Sequence, residues 1–334
     1  MPKAENSLNE LLYDLKRIEE HREKLTKEKI RKIYANLMDD LQSFLGDTYV
    51  DLADADGRLY IAQMRENARL ARFLEEATER VDFITPSLRM EMLSLVDETY
   101  TKCFIGMATA VKTASNTKEI AAILGEDSLV RPEVLKRAVD NNISKLTLPT
   151  VLEKNRQSII YDIRQTLTIG LVNGDRYEDM VKKVQKTLAG EDGTGGYYGK
   201  ACNIVRTESH RNIEAGFMDC AENISKGVEG SDYVYVAIWR TMKDERVRPQ
   251  QRYKTKKGWK TKINRNGANH VKMEGVTVKA GDYFILEKPS PSAPEGVKTK
   301  CPGMSGYARH DCNERCILEY DVMTVEEFNK VKQK

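Results

Sequence analysis

Three cysteines and a histidine near the end of the chain have side chains of the kind that bind zinc. Cys301, His310, Cys312 and Cys316 offer thiolate and imidazole groups, with eight, one and three residues between successive members. Zinc ribbons have a different spacing. One tetrahedral zinc would require the chain to bend sharply between His310 and Cys312. One structural zinc, isolated thiols and a disulfide are all open interpretations of this cluster.

Arg206, Thr207 and Glu208 open a predicted helix that continues to about Ser225. Arg206 and Glu208 are about 200° apart around a helix axis, so we predict that they do not pair with each other. In the structural interpretation, charged hydrogen bonds to the following domain, to Arg211 or to solvent hold the helix in place. In the catalytic alternative, Arg206 clamps a phosphate or dinucleotide, as in an ADP-ribosyltransferase. Such enzymes need a Glu-x-Glu or Gln-x-Glu pair, which this chain lacks, so we favour the structural interpretation.

A strongly basic stretch follows further on. Residues 246–272 contain ten Lys or Arg and no Asp or Glu, with Tyr253 and Trp259 interleaved. Such a stretch could contact DNA phosphates, or it could be a solvated basic β-hairpin. The candidate DNA-contacting residues are Arg252, Lys254, Lys256, Lys257, Lys260 and Lys262.

His270 beside Asn269, with His310-Asp311 later, superficially suggests a metal-dependent nuclease of the His-Asn-His type. The paired histidines that such nucleases carry on a β-hairpin are missing. A nuclease is therefore the less favoured interpretation.

The order of the motifs is more informative than any one of them. Arg-Thr-Glu is followed by a strand ending near Trp239, then by further short motifs and a terminal Cys/Arg/Cys cluster. These further motif residues are Asp244, Arg246, Arg248, His270, Gly275, Gly281 and Asp282. From about Leu152 to Val322 this order resembles the phage head-morphogenesis (Mu F-like) minor head proteins. The chain departs from them where Asn313-Glu314-Arg315 separates Cys312 from Cys316, and where Pro249-Gln250-Gln251-Arg252 replaces a Cys-x-x-Cys found in some relatives.

The resemblance implies a non-enzymatic minor head protein of a tailed bacteriophage. Such a protein is expected to bind near the portal vertex, to act in head assembly, and to take part in DNA packaging or ejection. Its expected partners are the portal protein, capsid or scaffold components and phage DNA. Its expected location is the capsid interior or the portal vertex of the virion, after assembly in the host bacterial cytoplasm. The alternative class is an enzyme, either a metal-dependent nuclease or an ADP-ribosyltransferase-like protein.

Composition is that of a globular protein. The chain has 334 residues, of which 40% are apolar and 31% charged, and a net charge of +3. The chain has no run of 18 apolar residues, so no membrane span is predicted. The N-terminus lacks the apolar segment of a secretory signal. Six scattered cysteines do not form a disulfide framework, which favours folding in a reducing cytoplasm.

Hydrophobic periodicity predicts an α+β fold, mainly α-helical in its N-terminal two thirds and followed by a small β-rich C-terminal domain. Capping patterns at Ser7, Thr85-Pro86, Asp175 and Thr324 predict helix starts, and Leu59 to Val81 reads as a separate helix. Pro132 is predicted to open another helix, and Gly190 to Gly199 to form a flexible connection. Strands are predicted at Tyr233–Arg240, Val276–Val278, Tyr283–Leu286 and Ile317–Tyr320.

We therefore divide the chain into four ranges. Residues 1–150 form a helical docking region without chemistry, and residues 151–227 form the helical core of the head-morphogenesis domain. Residues 228–322 form the small β-rich domain, and residues 323–334 form a C-terminal helix or tail.

We predict no hydrolytic or transferase activity, because no acid–base pair, nucleophile–base set or complete metal triad is visible. The purified chain, incubated with DNA, RNA and NAD with and without divalent metals, is expected to show no turnover. Turnover that disappears in Arg206→Ala or His270→Ala would instead establish the enzyme alternative.

Overall fold

The computed structural model describes residues 7–65, 68–124, 147–242, 250–255, 258–263, 268–291 and 293–332. Its helices are α1 (Leu8–Leu52), α2 (Arg69–Thr113), α3 (Lys118–Leu124), α4 (Leu148–Asn173), α5 (Tyr177–Ala189), α6 (Gly196–Gly227), α7 (Ala308–Asp311) and α8 (Val325–Val331). Its strands are β1 (Tyr233–Arg240), β2 (Gln250–Thr255), β3 (Gly258–Ile263), β4 (Thr277–Lys279), β5 (Phe284–Glu287), β6 (Val297–Thr299) and β7 (Ile317–Thr324). The predicted fold class is confirmed.

Two predicted helix starts are confirmed by their capping contacts. At the start of α1, the Glu10 carboxylate accepts a hydrogen bond from the Ser7 backbone N–H at 2.8 Å. At the start of α8, Thr324 and Glu327 form a complete capping box. The helix predicted at Pro132 lies outside the described residues.

Helix α2 is one helix where the sequence predicted two. The segment from Leu59 does not join it, because the Leu59 N–H donates to the carbonyl of Asp175 at 3.3 Å. Pro86 lies inside α2 rather than at a helix start. Buried Val81, Ile84 and Leu88 keep helical spacing across the proline, and burying this continuous stripe outweighs the loss of one backbone hydrogen bond.

The turn between α4 and α5 corrects another predicted cap. Gly174 directly follows α4 and has φ +63°. A Cβ at this position would lie 2.1 Å from the Tyr60 ring, so only glycine fits there. The residue that caps α5 is Arg176, not Asp175. The Asp175 side chain instead pairs with Lys183, and its carbonyl accepts from the Tyr49 hydroxyl at 2.9 Å. The predicted glycine connection is also shorter, since α6 already begins at Gly196.

The strands form one three-stranded antiparallel sheet, with the order β4–β1–β7, and two hairpins, β2–β3 and β5–β6. The central strand β1 has Tyr235, Val236, Ala237 and Trp239 buried, so both of its faces are covered as its sequence predicted. β7 pairs with β1 over its whole length, from Tyr233 opposite Thr324 to Arg240 opposite Ile317. The short strand β6 was not predicted, and the β2–β3 hairpin was only one of two interpretations of the basic stretch, because these polar sequences lack a clear alternation.

Strand β7 is an edge of this sheet, and helix side chains satisfy its outward backbone groups. Asn9 of α1 bonds both the N–H and the carbonyl of Tyr320, each at 3.0 Å. Two positions earlier, the Leu318 carbonyl accepts from Lys16 Nζ at 3.3 Å and the Leu318 N–H donates to Glu214 of α6 at 3.0 Å. Lys16 and Glu214 also pair with each other at 2.8 Å, and both are buried. These contacts fix the strand to both helices and close an edge that could otherwise pair with another chain.

The chain forms two compact units. Unit 1 comprises Met1–Arg22, Leu95–Thr147 and Arg206–Lys334, and unit 2 comprises Glu23–Ser94 and Leu148–Val205. Unit 1 contains all the described strands, and the described part of unit 2 is helical with short connections. The predicted division into four consecutive ranges stays a prediction. Within the described helices, no stretch has both the length and the apolar character needed to cross a membrane.

Replacing Pro86 by alanine is expected to stabilise unit 2. The exchange restores a backbone N–H within α2 at an exposed position, and proline in a helix interior is disfavoured by about 3 kcal/mol relative to alanine. Thermal and urea unfolding should show a higher midpoint for Pro86→Ala. The neighbouring exposed exchange Ser87→Ala serves as control, with a gain of only a few tenths of a kcal/mol. An unchanged or lower midpoint for Pro86→Ala would show that the proline does not limit the stability of α2.

Replacing Lys16 by methionine is expected to destabilise unit 1 by about 3–5 kcal/mol, because it leaves the buried Glu214 carboxylate without its partner charge. Urea unfolding of the full chain measures the loss. The double variant Lys16→Met/Glu214→Gln should lose less than Lys16→Met alone, since the amide keeps an oxygen for the Leu318 N–H and buries no charge. Equal losses in the two variants would contradict a charge-based role.

Candidate functional site

The Arg-Thr-Glu motif lies on α6, and its contacts are made within the helix and to the segment before β7. Glu208 is buried and accepts two hydrogen bonds from Arg211 Nη1, at 3.0 and 3.1 Å, which is one of the predicted partners. Burial raises the pKa of the Glu208 carboxyl, and the Arg211 charge opposes this shift. The Thr207 hydroxyl accepts from the Asn313 backbone N–H at 3.2 Å. Arg206 is exposed. The motif thus connects α6 to the segment that precedes β7.

A second buried carboxylate organises the same segment. Asp311, at the end of α7, accepts hydrogen bonds from the Ser305 N–H, the Ser305 hydroxyl and the Gly306 N–H, at 2.9, 2.7 and 2.8 Å. Burial raises the pKa of Asp311, while these bonds and the charge of Arg211 oppose the rise. Gly303 packs on Arg211, and a Cβ at Gly303 would lie 2.8 Å from Arg211 Cγ. The buried Arg211 side chain therefore packs against a loop and does not form part of an exposed ligand-binding site.

The other family-motif residues lie around β1. The Trp239 ring packs edge-on against His270 at 5.6 Å and Phe284 at 5.2 Å. Gly275, with φ +76°, donates its N–H to the Trp239 carbonyl at 2.8 Å. Gly281 has φ +96°, and a Cβ there would lie 2.7 Å from Glu222 Cγ. Asp282 is exposed. Asp244, Arg246 and Arg248 lie outside the described residues.

Two histidines form a buried hydrogen-bonded chain beneath Trp239. His270 Nε2 and His310 Nδ1 are 2.8 Å apart, with the two rings stacked. The chain continues from His310 Nε2 to Glu287 Oε1 at 2.8 Å and from His270 Nδ1 to Glu314 Oε2 at 2.7 Å. Each histidine is 1% exposed. Burial and the neighbouring His270 lower the pKa of His310 to about 4.

The structure brings together a different set of potential metal ligands from the predicted one. One ligand atom each from His270, Glu314 and Cys316 lies within 4.8 Å of the others, and Cys316 Sγ is 3.7 Å from His270 Nδ1. His310 contacts His270 of this group. Cys301 and Cys312 lie outside it, since Cys312 is exposed and Cys301 is buried elsewhere, where burial raises the pKa of its thiol. None of the six cysteines forms a disulfide.

The sequence analysis missed Glu314 and Glu287. Glu314 could have been found, because it is an acidic residue inside the Cys312–Cys316 cluster and offers an oxygen ligand. Glu287 carries no local pattern, since it ends the ordinary strand β5 and meets His310 only through the fold.

The basic stretch forms the β2–β3 hairpin. Arg252 and Lys254 belong to β2, and Lys260 and Lys262 to β3, with Tyr253 opposite Lys260 in the register. Lys256 and Lys257 lie outside the described residues. Contact of this hairpin with DNA stays a prediction.

Comparison with known proteins agrees with the motif resemblance. No protein-family model and no solved structure matches the chain. Among curated proteins it is similar to the minor head protein GP7 of Bacillus phage SPP1, with 25% identity over 292 residues, covering 87% of this chain and 80% of the relative. This similarity covers more of the chain than the stretch that carries the motifs. The predicted resemblance to phage minor head proteins is confirmed.

Proposed function

We propose that this chain is a structural, non-enzymatic protein of the phage head that binds the portal protein and acts in head assembly. The observation that carries the proposal is an exposed apolar stripe on α2, formed by Phe83, Pro86 and Met90 and called the α2 stripe below. The similarity to a phage minor head protein supports the head as the setting.

The α2 stripe follows helical geometry. Phe83, Pro86 and Met90 are spaced by three and four residues, so they share one face of α2, and Ser87 lies between them. Phe83 is 85% exposed and Met90 is 64% exposed. Full burial of side chains of this size is worth about 1.5–3 kcal/mol each. Grouped exposed apolar side chains of this kind are typical of protein-binding surfaces.

The opposite side of α2 already has its partner within unit 2. Ile84, Leu88 and Met92 line a groove together with Leu152 and Ile159 of α4. These residues are mostly buried, so they belong to the core rather than to a binding surface. The α2 stripe thus faces outward on a helix whose opposite side is packed within unit 2. This packing makes the helix a suitable support for a docking surface.

The proposed partner is the portal protein, which is the partner that the resemblance to head-morphogenesis proteins implies. Placement at the portal vertex, contact with other capsid or scaffold components, and a part in DNA packaging or ejection belong to the same proposal. The buried contacts of Glu208, Arg211, His270 and His310 support a non-catalytic role, since they connect segments of the fold and leave little access for a substrate.

Replacing the α2 stripe by charge is expected to weaken portal binding. Each of Phe83→Asp and Met90→Asp removes apolar contact area and places a carboxylate in the interface, so the double variant should lower the affinity at least about tenfold. Purified full-length chain and the portal protein of the same phage are mixed, and the complex is measured by native mass spectrometry and by titration.

Val50→Asp is the matched control. Val50 is 87% exposed on α1 of the same unit but lies between acidic Asp47 and Asp51, outside any apolar stripe. Its replacement should leave portal binding unchanged, and circular dichroism should show that all variants are folded. Undiminished portal binding by the double variant would reject the α2 stripe as the docking surface. Binding of the wild type to the major capsid protein alone would reject the portal as partner.

A further inference from the structure

The buried histidine chain is anchored at Glu287. Arg309 holds the Glu287 carboxylate with two hydrogen bonds, at 3.1 and 2.7 Å, and Glu287 Oε1 lies 2.8 Å from His310 Nε2. His310 Nδ1 in turn lies 2.8 Å from His270 Nε2. These contacts fix the position and the ring orientation of His270.

The other ring nitrogen of His270 faces Glu314. His270 Nδ1 lies 2.7 Å from Glu314 Oε2, and both side chains are at most 2% exposed. A ring nitrogen and a carboxylate oxygen that are buried at this distance either share a ring proton or bind the same metal ion.

We propose that a zinc-type divalent metal ion is bound by His270 Nδ1, Glu314 Oε2 and Cys316 Sγ. Nitrogen, oxygen and sulfur are all zinc ligands, and the three ligand atoms already lie within 4.8 Å of one another. The sulfur of Cys316 lies 3.7 Å from His270 Nδ1, so a thiol stands beside the nitrogen and the carboxylate oxygen in the same buried site.

The groups around the three ligands are those that orient a metal site. Metal-binding histidines usually donate their other ring N–H to a fixed acceptor, and His270 does so through His310 to Glu287. Glu314 keeps Oε2 towards the site because its Oε1 accepts from the backbone N–H groups of Arg315 and Cys316, both at 2.7 Å.

Three protein ligands leave the fourth position of a tetrahedral ion to a water molecule. Although an open fourth position is common in catalytic zinc sites, all three ligands are buried here. We therefore assign the ion a structural role. It would tie the turn that contains His270 to the start of β7.

Metal content and cobalt spectroscopy of the full chain test the site. Protein expressed with added zinc and purified without chelator should contain about one zinc per chain, and removal of the metal should lower the melting temperature. Reconstitution with Co²⁺ should give a near-ultraviolet thiolate-to-cobalt absorption band. Cys316→Ser should abolish this band, whereas Cys312→Ser, which changes the exposed cysteine four residues earlier, should retain it.

Glu314→Gln provides a second test if Cys316→Ser does not fold. It removes the charged ligand but keeps an oxygen for the two backbone N–H groups, and it should weaken zinc binding at least about tenfold. Folded wild-type protein without zinc and without the cobalt band would overturn the proposal and leave a direct hydrogen bond between His270 and Glu314. Loss of the band in Cys312→Ser would overturn the assignment of Cys316.

Discussion

The structure of unit 1 depends on how the outward backbone groups of the edge strand β7 are satisfied. A strand edge exposes alternate N–H and C=O groups, and leaving them buried without partners costs free energy. The Asn9 side chain hydrogen-bonds to the backbone of Tyr320, while the side chains of Lys16 and Glu214 hydrogen-bond to the backbone of Leu318. The side chains come from α1 and α6, so the first helix of the chain and its last long strand are linked across about three hundred residues. The same contacts oblige Lys16 and Glu214 to be buried as an ion pair, which holds its geometry only while both partners are present.

The charged motif residues of α6 work in a similar way. Arg211 bonds Glu208 within the helix, and its charge also acts on Asp311, which orders the loop from Ser305 to Gly306. The charged side chains at and next to the Arg-Thr-Glu motif therefore stabilise a loop. This arrangement explains how a motif with the side chains of a phosphate-binding site can have structural contacts instead. Buried charged hydrogen bonds give the loop one geometry, and that geometry places His310, Glu314 and Cys316 near His270.

Unit 2 provides the contrasting kind of surface. The inner side of its part of α2 is a continuous apolar stripe, and burial of Val81, Ile84 and Leu88 keeps the helix intact through Pro86. The outer side shows Phe83 and Met90 to solvent. A helix held firmly on one side can present apolar groups on the other without a large loss of conformational entropy on binding. The proposed docking on the portal protein requires this property.

The sequence by itself determined the features that depend on neighbouring residues. Helical periodicity indicated the helical two thirds of the chain, alternation indicated β1, and Thr324 with Glu327 indicated the last helix. Each of these signals is complete within a few residues. Where a local signal competed with packing it failed, as at Pro86, where a favourable helix-start pattern lies inside a long buried stripe. The zinc set predicted from Cys301, His310, Cys312 and Cys316 stays a prediction, and the structure groups Cys316 with His270 and Glu314.

Only the tertiary structure decided which buried polar groups meet. His270 and His310 are forty residues apart in sequence, and Glu287 and Glu214 reach His310 and Leu318 only because separate elements pack together. No local pattern encodes these pairs, because a buried donor requires an acceptor nearby in space but at no particular distance along the chain. The residue types were visible from the start, and the fold alone gave them their partners.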